Sequence, residues 1–128
     1  MTFVIFDKKL PLVVVPVTIK TGNKILEFNF AVDTGASMSL IDINVMSQIG
    51  YQIKDSIETM QTVTASRTET VYKFKIDNIC ALGLIRKNYN IISRSLPIHL
   101  GIHGLLGLNF FKDKELNIDF KLSEITLK

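Results

Sequence analysis

The chain has 128 residues, of which 47% are hydrophobic and 21% are charged, and this composition excludes an intrinsically disordered protein. Its length suits a single hydrophobic core, so we expect residues 1–128 to form one domain. The net charge of +3 is spread over separated lysines and arginines, which argues against a nucleic-acid-binding surface.

The cysteine count and the apolar runs bear on the compartment. No apolar run approaches the roughly 18 residues that a membrane-spanning helix needs, so we expect no membrane association. The single cysteine, Cys80, cannot form an intrachain disulfide, which favours a reducing compartment, and we predict a cytoplasmic location. Because Cys80 lies in the apolar run 79–82, we expect a buried structural thiol and not a nucleophile.

Short runs of β-branched and aromatic residues, separated by turn residues, predict a mostly β protein. The predicted strands cover residues 2–6, 12–19, 25–32, 70–76, 89–92 and 118–127. Glycine and asparagine within residues 20–24 favour a hairpin between the second and third strands. The third strand ends at Asp33.

Two short helices and one projecting hairpin complete the predicted elements. Asp42 is expected to cap a helix that stops at Gly50. Three apolar residues share one face of that helix: Val45, Met46 and Ile49. A second short helix is predicted over residues 109–114, and the polar stretch 58–67 is typical of a projecting hairpin or loop.

The segment that bears most on chemistry is 30–37, where Asp33, Thr34 and Gly35 follow an apolar strand. A carboxylate is costly there, because desolvation disfavours the ionised form and no Lys or Arg adjoins it in the sequence. A turn closed by an Asx-type hydrogen bond explains the three residues by themselves equally well. The tripeptide alone therefore leaves both interpretations open.

A second segment changes this balance. Far downstream, Leu105, Leu106 and Gly107 precede an amphipathic stretch. Together with the motif at 33–37, they resemble the retropepsin-like aspartic peptidases, in which an apolar strand delivers Asp-Thr/Ser-Gly-Ala/Ser and a later apolar-apolar-Gly segment packs beside it. The ending, at 116–120 and 125–127, is similar to the terminal strands of cellular and bacterial members. The resemblance implies a closed retropepsin-like (acid protease) β-barrel with one or two short helices and a flap hairpin.

The chain departs from the viral members of this family in two places. Those members commonly carry an acid after the alanine of the first motif and an arginine after the later glycine, and the two form an ion pair. Ser37 and Leu108 stand at these places, so the resemblance points to a non-viral branch. The flap would cover about 60–72, and its tip lacks the glycines that are frequent in viral members.

The resemblance implies an aspartic endopeptidase whose catalytic motif is Asp33, Thr34 and Gly35, acting through water without metal or cofactor. Two adjacent carboxyl groups share one proton, and no other aspartate of the chain begins an Asp-Thr/Ser-Gly motif. The second Asp33 is therefore expected from the other chain of a homodimer, with Thr34 bonding across the two-fold axis. The partners expected are a second copy and a peptide or protein substrate. The expected substrate-binding residues are Ala36, Ser37, Thr64, Ala65 and Ser66.

Other functions fit the sequence less well. A catalytically silent dimeric peptide-binding or dimerisation module would carry the same residues, and it stays open as the alternative. The serine-hydrolase elbow Gly-x-Ser-x-Gly fails because residue 39 is serine, not glycine. His99 and His103 lie four residues apart, but the proline and glycines around them oppose the helix that would bring both to one metal ion. The glycines at 101, 104 and 107 lack the spacing of a phosphate-binding loop.

Overall fold

The computed structural model describes residues 2–63, 65–97 and 100–128, and it is mostly β, as predicted. In those residues, strands β1 to β10 span Thr2–Ile5, Val14–Thr21, Lys24–Val32, Leu40–Asp42, Glu58–Val63, Thr68–Ala81, Leu84–Arg94, Gly104–Leu106, Leu116–Asp119 and Glu124–Leu127. Helices α1 and α2 span Ile43–Gln48 and Leu108–Phe111, and a 3-10 turn covers Ile53–Asp55. No helix within the described ranges is both long enough and apolar enough to cross a membrane.

Six strands close into a barrel in the order β2-β3-β8-β4-β7-β6, and β6 returns to pair with β2. Strand β8 lies between β3 and β4, parallel to the former and antiparallel to the latter. Strand β5 pairs with β6 as an additional antiparallel strand that is not part of the closed barrel. This arrangement confirms the closed barrel, and it brings the end of β3 beside the end of β8.

Alternating side chains of the barrel strands form its core. Val15, Val17 and Ile19 of β2 point inward, and Phe30 of β3 is fully buried beside them. Full burial of one such side chain contributes about 1.5–3 kcal/mol to folding, so the alternation fixes which face of each strand turns inward. The tight turn between β2 and β3 places Gly22 at a φ of 54°, which confirms the predicted hairpin.

The chain termini form a separate three-stranded sheet in the order β1-β10-β9. The predicted run 118–127 is not one strand but parts of two, joined by a turn at 120–123. Asp119 causes this break, because its Oδ1 accepts hydrogen bonds of 2.9 Å from the backbone N–H groups of Lys121 and Leu122. Ser123 then adopts a φ of 57°, which directs the chain back along β9.

Both predicted helices are present, and the second is shorter than expected. Helix α1 begins where predicted, since Asp42 Oδ1 accepts a hydrogen bond of 2.8 Å from the N–H of Asn44. Its predicted apolar face is buried: Val45, Met46 and Ile49. Helix α2 ends at Phe111, because Lys112 leaves the helical region with φ −51° and ψ 133°. The Arg86 guanidinium donates to the carbonyl oxygen of Phe110 at this end.

Strands β6 and β7 extend well beyond the predicted 70–76 and 89–92, and β4 was not predicted. Polar residues on the outer face of β6 and β7 hid their full length from the apolar pattern. The prediction of a buried thiol at Cys80 is wrong. Alternation turns Ile79 and Ala81 inward and leaves Cys80 half-buried on the outside of the barrel, beside Thr18 and Ile85.

Candidate active site

Asp33 lies at the point where β3 leaves the barrel beside β8. Its backbone N–H donates a hydrogen bond of 2.9 Å to the carbonyl oxygen of Leu106, which continues the pairing between these two strands. The N–H of Ala36 donates to the Asp33 carbonyl oxygen at 3.2 Å and closes a tight turn. Asp33 is half-buried and Thr34 is exposed, so the apolar strand delivers its carboxyl group to the edge of the barrel.

One oxygen of the Asp33 carboxyl group is held by its own turn. Oδ1 accepts a hydrogen bond of 3.0 Å from the N–H of Gly35, whereas no group in the described part of the chain donates to Oδ2. The Asx-type turn considered from the sequence is therefore present. It does not exclude a chemical role, because the turn occupies one oxygen and leaves the other able to accept from water. A Cβ at residue 35 would lie 3.2 Å from Oδ1, so glycine suits this position.

The second sequence motif packs directly against this turn. The N–H of Leu108 donates to the Ala36 carbonyl oxygen at 2.8 Å, and the N–H of Asn109 donates to that of Ser37 at 3.2 Å. Gly107 has no room for a side chain, because a Cβ there would lie 2.7 Å from the carbonyl carbon and oxygen of Met38. Backbone hydrogen bonds from two successive residues thus join the second motif to the Asp33 turn.

A group of polar side chains beneath the turn was not identified from the sequence. Ser39 is fully buried, and its Oγ lies 2.7 Å from Tyr89 Oη and 2.9 Å from Asn109 Oδ1. Tyr89 Oη lies 2.7 Å from the same Asn109 oxygen. Burial raises the pKa of Tyr89 to about 12, although the hydrogen bond with Ser39 and the charge of Arg86 lower it. The phenol of Tyr89 is therefore neutral at acidic and neutral pH.

An open groove of about 610 Å³ begins at Thr34 and Ser37 and runs along α2 towards β9. Its apolar wall includes Leu108, which is 49% exposed, and Phe111. Two lysines and Leu116 line its far side. The groove leaves an apolar surface uncovered directly beside the Asp33 turn.

The predicted substrate-binding residues fall into two elements. Ala36 is half-buried and Ser37 is exposed, and both belong to the Asp33 turn. Ala65 and Ser66 are exposed beyond the end of β5, and Thr64 lies outside the described residues. Strands β5 and β6 pair from Glu58 with Lys73 to Val63 with Thr68, so the hairpin predicted over 58–67 is confirmed.

The two histidines considered for a metal site can be treated separately. His99 lies outside the described residues. His103 Nδ1 accepts a hydrogen bond of 3.0 Å from the N–H of Asn29, and its ring packs edge-on against Phe28. His103 therefore has a structural role in joining the segment before β8 to β3.

Residues 15–110 match the sequence model of a family described as aspartyl protease. The chain belongs to the aspartyl protease family. A solved structure, the crystal structure of a retropepsin-like aspartic protease from Rickettsia conorii, is similar with a TM-score of 0.73 and 19% sequence identity. The similarity covers 98% of this chain and 87% of that chain, and it confirms the retropepsin-like fold. No curated protein matches the sequence.

Family and fold together support a protease-type function for this aspartyl protease family member. The residues that sequence reasoning missed are Ser39, Tyr89 and Asn109. The sequence does hint at them, because each is a polar residue inside or beside an apolar run. Burying such a group without a hydrogen-bond partner would cost free energy, so a partner is expected. That signal does not tell which of the polar residues meet, because residues 39, 89 and 109 are far apart in the chain and lie on different elements of the fold.

Proposed function

We propose that the chain is an aspartic endopeptidase that hydrolyses peptide bonds in a peptide or protein substrate. The observation that carries this proposal is the half-buried Asp33 carboxyl group, whose Oδ1 is held by the Gly35 N–H at 3.0 Å. Its Oδ2 receives no hydrogen bond from the described residues. A carboxyl group that is fixed through one oxygen and open at the other is suited to bind and activate a water molecule.

The proposed reaction uses two Asp33 carboxyl groups that share one proton. The ionised group takes a proton from a bound water molecule, and the protonated group donates its hydrogen bond to the carbonyl oxygen of the scissile bond. The water oxygen forms a bond to the carbonyl carbon. When the carbon–nitrogen bond breaks, a carboxyl group returns a proton to the departing amine. No covalent intermediate with the protein forms in this scheme.

The second carboxyl group is proposed to come from a second copy of the chain. Each chain holds one Asp-Thr-Gly motif, so a pair of Asp33 residues requires a homodimer whose two-fold axis passes beside Thr34. Two carboxyl groups share a proton only when they are in contact, so the surfaces around the two turns must also meet. The uncovered apolar groove that begins at Thr34 supports this assembly.

The substrate is proposed to lie as an extended strand between the Asp33 turn and the β5–β6 hairpin. Ala36 and Ser37 would contact it from the turn, and Thr64, Ala65 and Ser66 from the hairpin tip. Gly35, which has no side chain, would allow the substrate backbone to approach the carboxyl groups.

We also propose that the 128 residues form one domain and that the protein acts in the cytoplasm. The single-domain proposal is supported by a core cluster that contains residues from Phe6 near one end of the chain to Leu127 near the other. The location is proposed from the single cysteine, which suits a reducing compartment.

The proposal is tested by incubating the purified chain with an unfolded protein at several pH values and with peptides of random sequence. We expect cleavage, with a bell-shaped pH dependence centred on the acidic side of neutral. The pair of carboxyl groups must carry one proton, and it is inactive when it carries none or two. A dimer that binds peptides but cleaves nothing at any pH would favour the silent binding module.

Assembly is tested by dilution and by mixing. Specific activity should fall on dilution below the dimer dissociation constant, and excess Asp33→Asn chain should inhibit the wild type under exchanging conditions. Activity that is unchanged by dilution, in a chain shown by light scattering to be monomeric, would contradict the shared site.

A further inference from the structure

We propose that Tyr89 is a positioning residue for the reaction, and that its hydroxyl group holds the Asp33 turn in place through Ser39 and Asn109. The inference rests on the proposed function, because it assigns a task to residues that do not touch substrate. Through the turn, the three side chains orient the catalytic carboxyl group.

The contacts form a closed triangle of oxygen atoms. Tyr89 Oη, Ser39 Oγ and Asn109 Oδ1 lie within 2.7 to 2.9 Å of one another. Ser39 also donates its backbone N–H to Asn109 Oδ1 at 2.8 Å. The amide of Asn109 cannot turn over freely, because its Nδ2 donates to the carbonyl oxygen of Asn90 at 3.0 Å.

The protons can be counted. The triangle holds two hydroxyl protons and three close oxygen pairs, so two of the three pairs are hydrogen-bonded at one time. In one arrangement Tyr89 donates to Ser39 and Ser39 donates to Asn109. In a second, Tyr89 donates to Asn109 and Ser39 donates to Tyr89. In a third, both hydroxyl groups donate to Asn109 Oδ1. All three arrangements need the neutral phenol, and all three leave the Ser39 oxygen able to accept one further bond.

That further bond connects the triangle to Asp33. Ser39 Oγ accepts from the N–H of Gly107 at 2.9 Å, in a place too crowded for any side chain on Gly107. The adjacent residue, Leu106, accepts the backbone N–H of Asp33 at 2.9 Å. Ser39 also lies at the other end of the same turn, ahead of β4. The triangle therefore holds both sides of the Asp33 turn against β8 and α2, and Tyr89 anchors it to β7.

Tyr89→Phe removes one oxygen atom and keeps the packing. The ring is 6% exposed and packs edge-on against Phe110, with centroids 6.2 Å apart, so phenylalanine fills the same space. Ser39 can still donate to Asn109 in this variant, so no buried donor loses its partner. The variant should fold, and the Ser39 hydroxyl group should gain rotational freedom.

Tyr51→Phe is a matched control. The Tyr51 hydroxyl group is hydrogen-bonded to Thr21 Oγ1 at 2.8 Å, and its ring packs edge-on against Phe74 with centroids 5.8 Å apart. Like Tyr89→Phe, Tyr51→Phe removes a hydroxyl group from a tyrosine that packs against a phenylalanine. Its partner Thr21, however, lies at the β2–β3 turn and has no bond to residues 33–39. A purely structural effect of losing a tyrosine hydroxyl group would appear in both variants.

We expect Tyr89→Phe to lower kcat about 10-fold with KM changed less than about 2-fold. A carboxyl group in the wrong orientation stabilises the transition state less, and it leaves substrate binding unchanged. Amide hydrogen exchange of Asp33 and Gly107 should become roughly 3- to 10-fold faster, the range that loss of one net hydrogen bond allows. Tyr51→Phe should alter neither quantity at these residues.

A double-variant comparison sharpens the result. Ser39→Ala breaks the path to Gly107, so adding Tyr89→Phe to it should change kcat by less than about 2-fold. Wild-type kcat and exchange in Tyr89→Phe, or equal losses in Tyr89→Phe and Tyr51→Phe, would overturn the inference. If the wild type cleaves nothing, the proposed function fails. The exchange measurement then still decides whether Tyr89 holds the Asp33 turn.

Discussion

The Asp33 turn and the tip of the β5–β6 hairpin differ in how they are held. Backbone bonds to β8 and α2, together with the Ser39 triangle, hold the turn from several sides. In the described residues, the outer end of the hairpin is held by pairing between β5 and β6, and Val63 there is 82% exposed. Its ion pairs, from Glu69 to Arg67 and Arg94, are partly exposed, and ion pairs that water reaches contribute little to stability.

Under the proposed function, this difference suits two separate roles. Acid–base chemistry requires atoms placed to within about 0.5 Å, which many short bonds provide. A hairpin that covers a substrate must open and close, which requires few buried contacts. Substitutions at the turn should therefore affect kcat or folding, and substitutions at the hairpin tip should affect KM.

The largest effect is expected from Asp33→Asn, which should lower kcat by about 10⁴-fold or more and leave the dimer and the fold intact. An amide keeps an oxygen for the Gly35 N–H but cannot share the proton. Peptide cleavage measures kcat, sedimentation measures the dimer, and circular dichroism measures the fold. Asp119→Asn is the control, since Asp119 Oδ1 also accepts backbone N–H groups in a turn. Cleavage by the Asp33 variant would remove this residue from the mechanism.

The next effect is expected from Gly107→Ala, which should lower the free energy of unfolding by about 3 kcal/mol. The new Cβ would lie 2.7 Å from the Met38 carbonyl group and 2.8 Å from the Ala36 oxygen, and these backbone atoms cannot move without shifting the Asp33 turn. Urea unfolding measures the loss.

Gly22→Ala supplies the comparison for that experiment. No atom of the described residues lies within 4 Å of a Cβ at Gly22, so this variant carries only the strain of its positive φ, about 1 kcal/mol. Equal losses in the two variants would show that crowding at Gly107 contributes nothing.

A smaller effect is expected from Leu108→Asp, which should weaken dimerisation about 100-fold because it buries an unpaired charge in the groove beside Thr34. The monomer should stay folded, since Leu108 is half-exposed in one chain. Sedimentation at several concentrations measures the dissociation constant. Ile85→Asp is the control, as Ile85 is 58% exposed on the outside of β7. An unchanged dimer in Leu108→Asp would place the interface elsewhere.

The smallest effect is expected from Val63→Ser at the hairpin. Its thermal midpoint should match the wild type, because exposed substitutions usually change stability by no more than about 0.5 kcal/mol. KM should rise about 3-fold, and kcat should stay the same, if the tip only covers the substrate. A loss of kcat without a change in KM would show that the hairpin also takes part in aiming the chemistry.

Much of this fold follows from local patterns. The hairpin at Gly22, the helix that Asp42 caps and the strand that leads into Asp33 depend on neighbouring residues, and the structure confirms all three, with the strand ending at Val32. The misjudged elements depend on distant ones. Strand β4 has three residues and exists because β8 and β7 flank it, and α2 stops early at Lys112, where Arg86 of β7 holds its last carbonyl groups.

Consecutive residues suffice to predict the mostly β composition, the acid at the end of an apolar strand and the presence of the glycine motif downstream. The outward position of Cys80 and the meeting of Ser39, Tyr89 and Asn109 could not be predicted in this way. The three polar residues lie 20 to 70 positions apart in the chain, and the partner of a side chain at such a separation is set by strand register and packing, which no local pattern records.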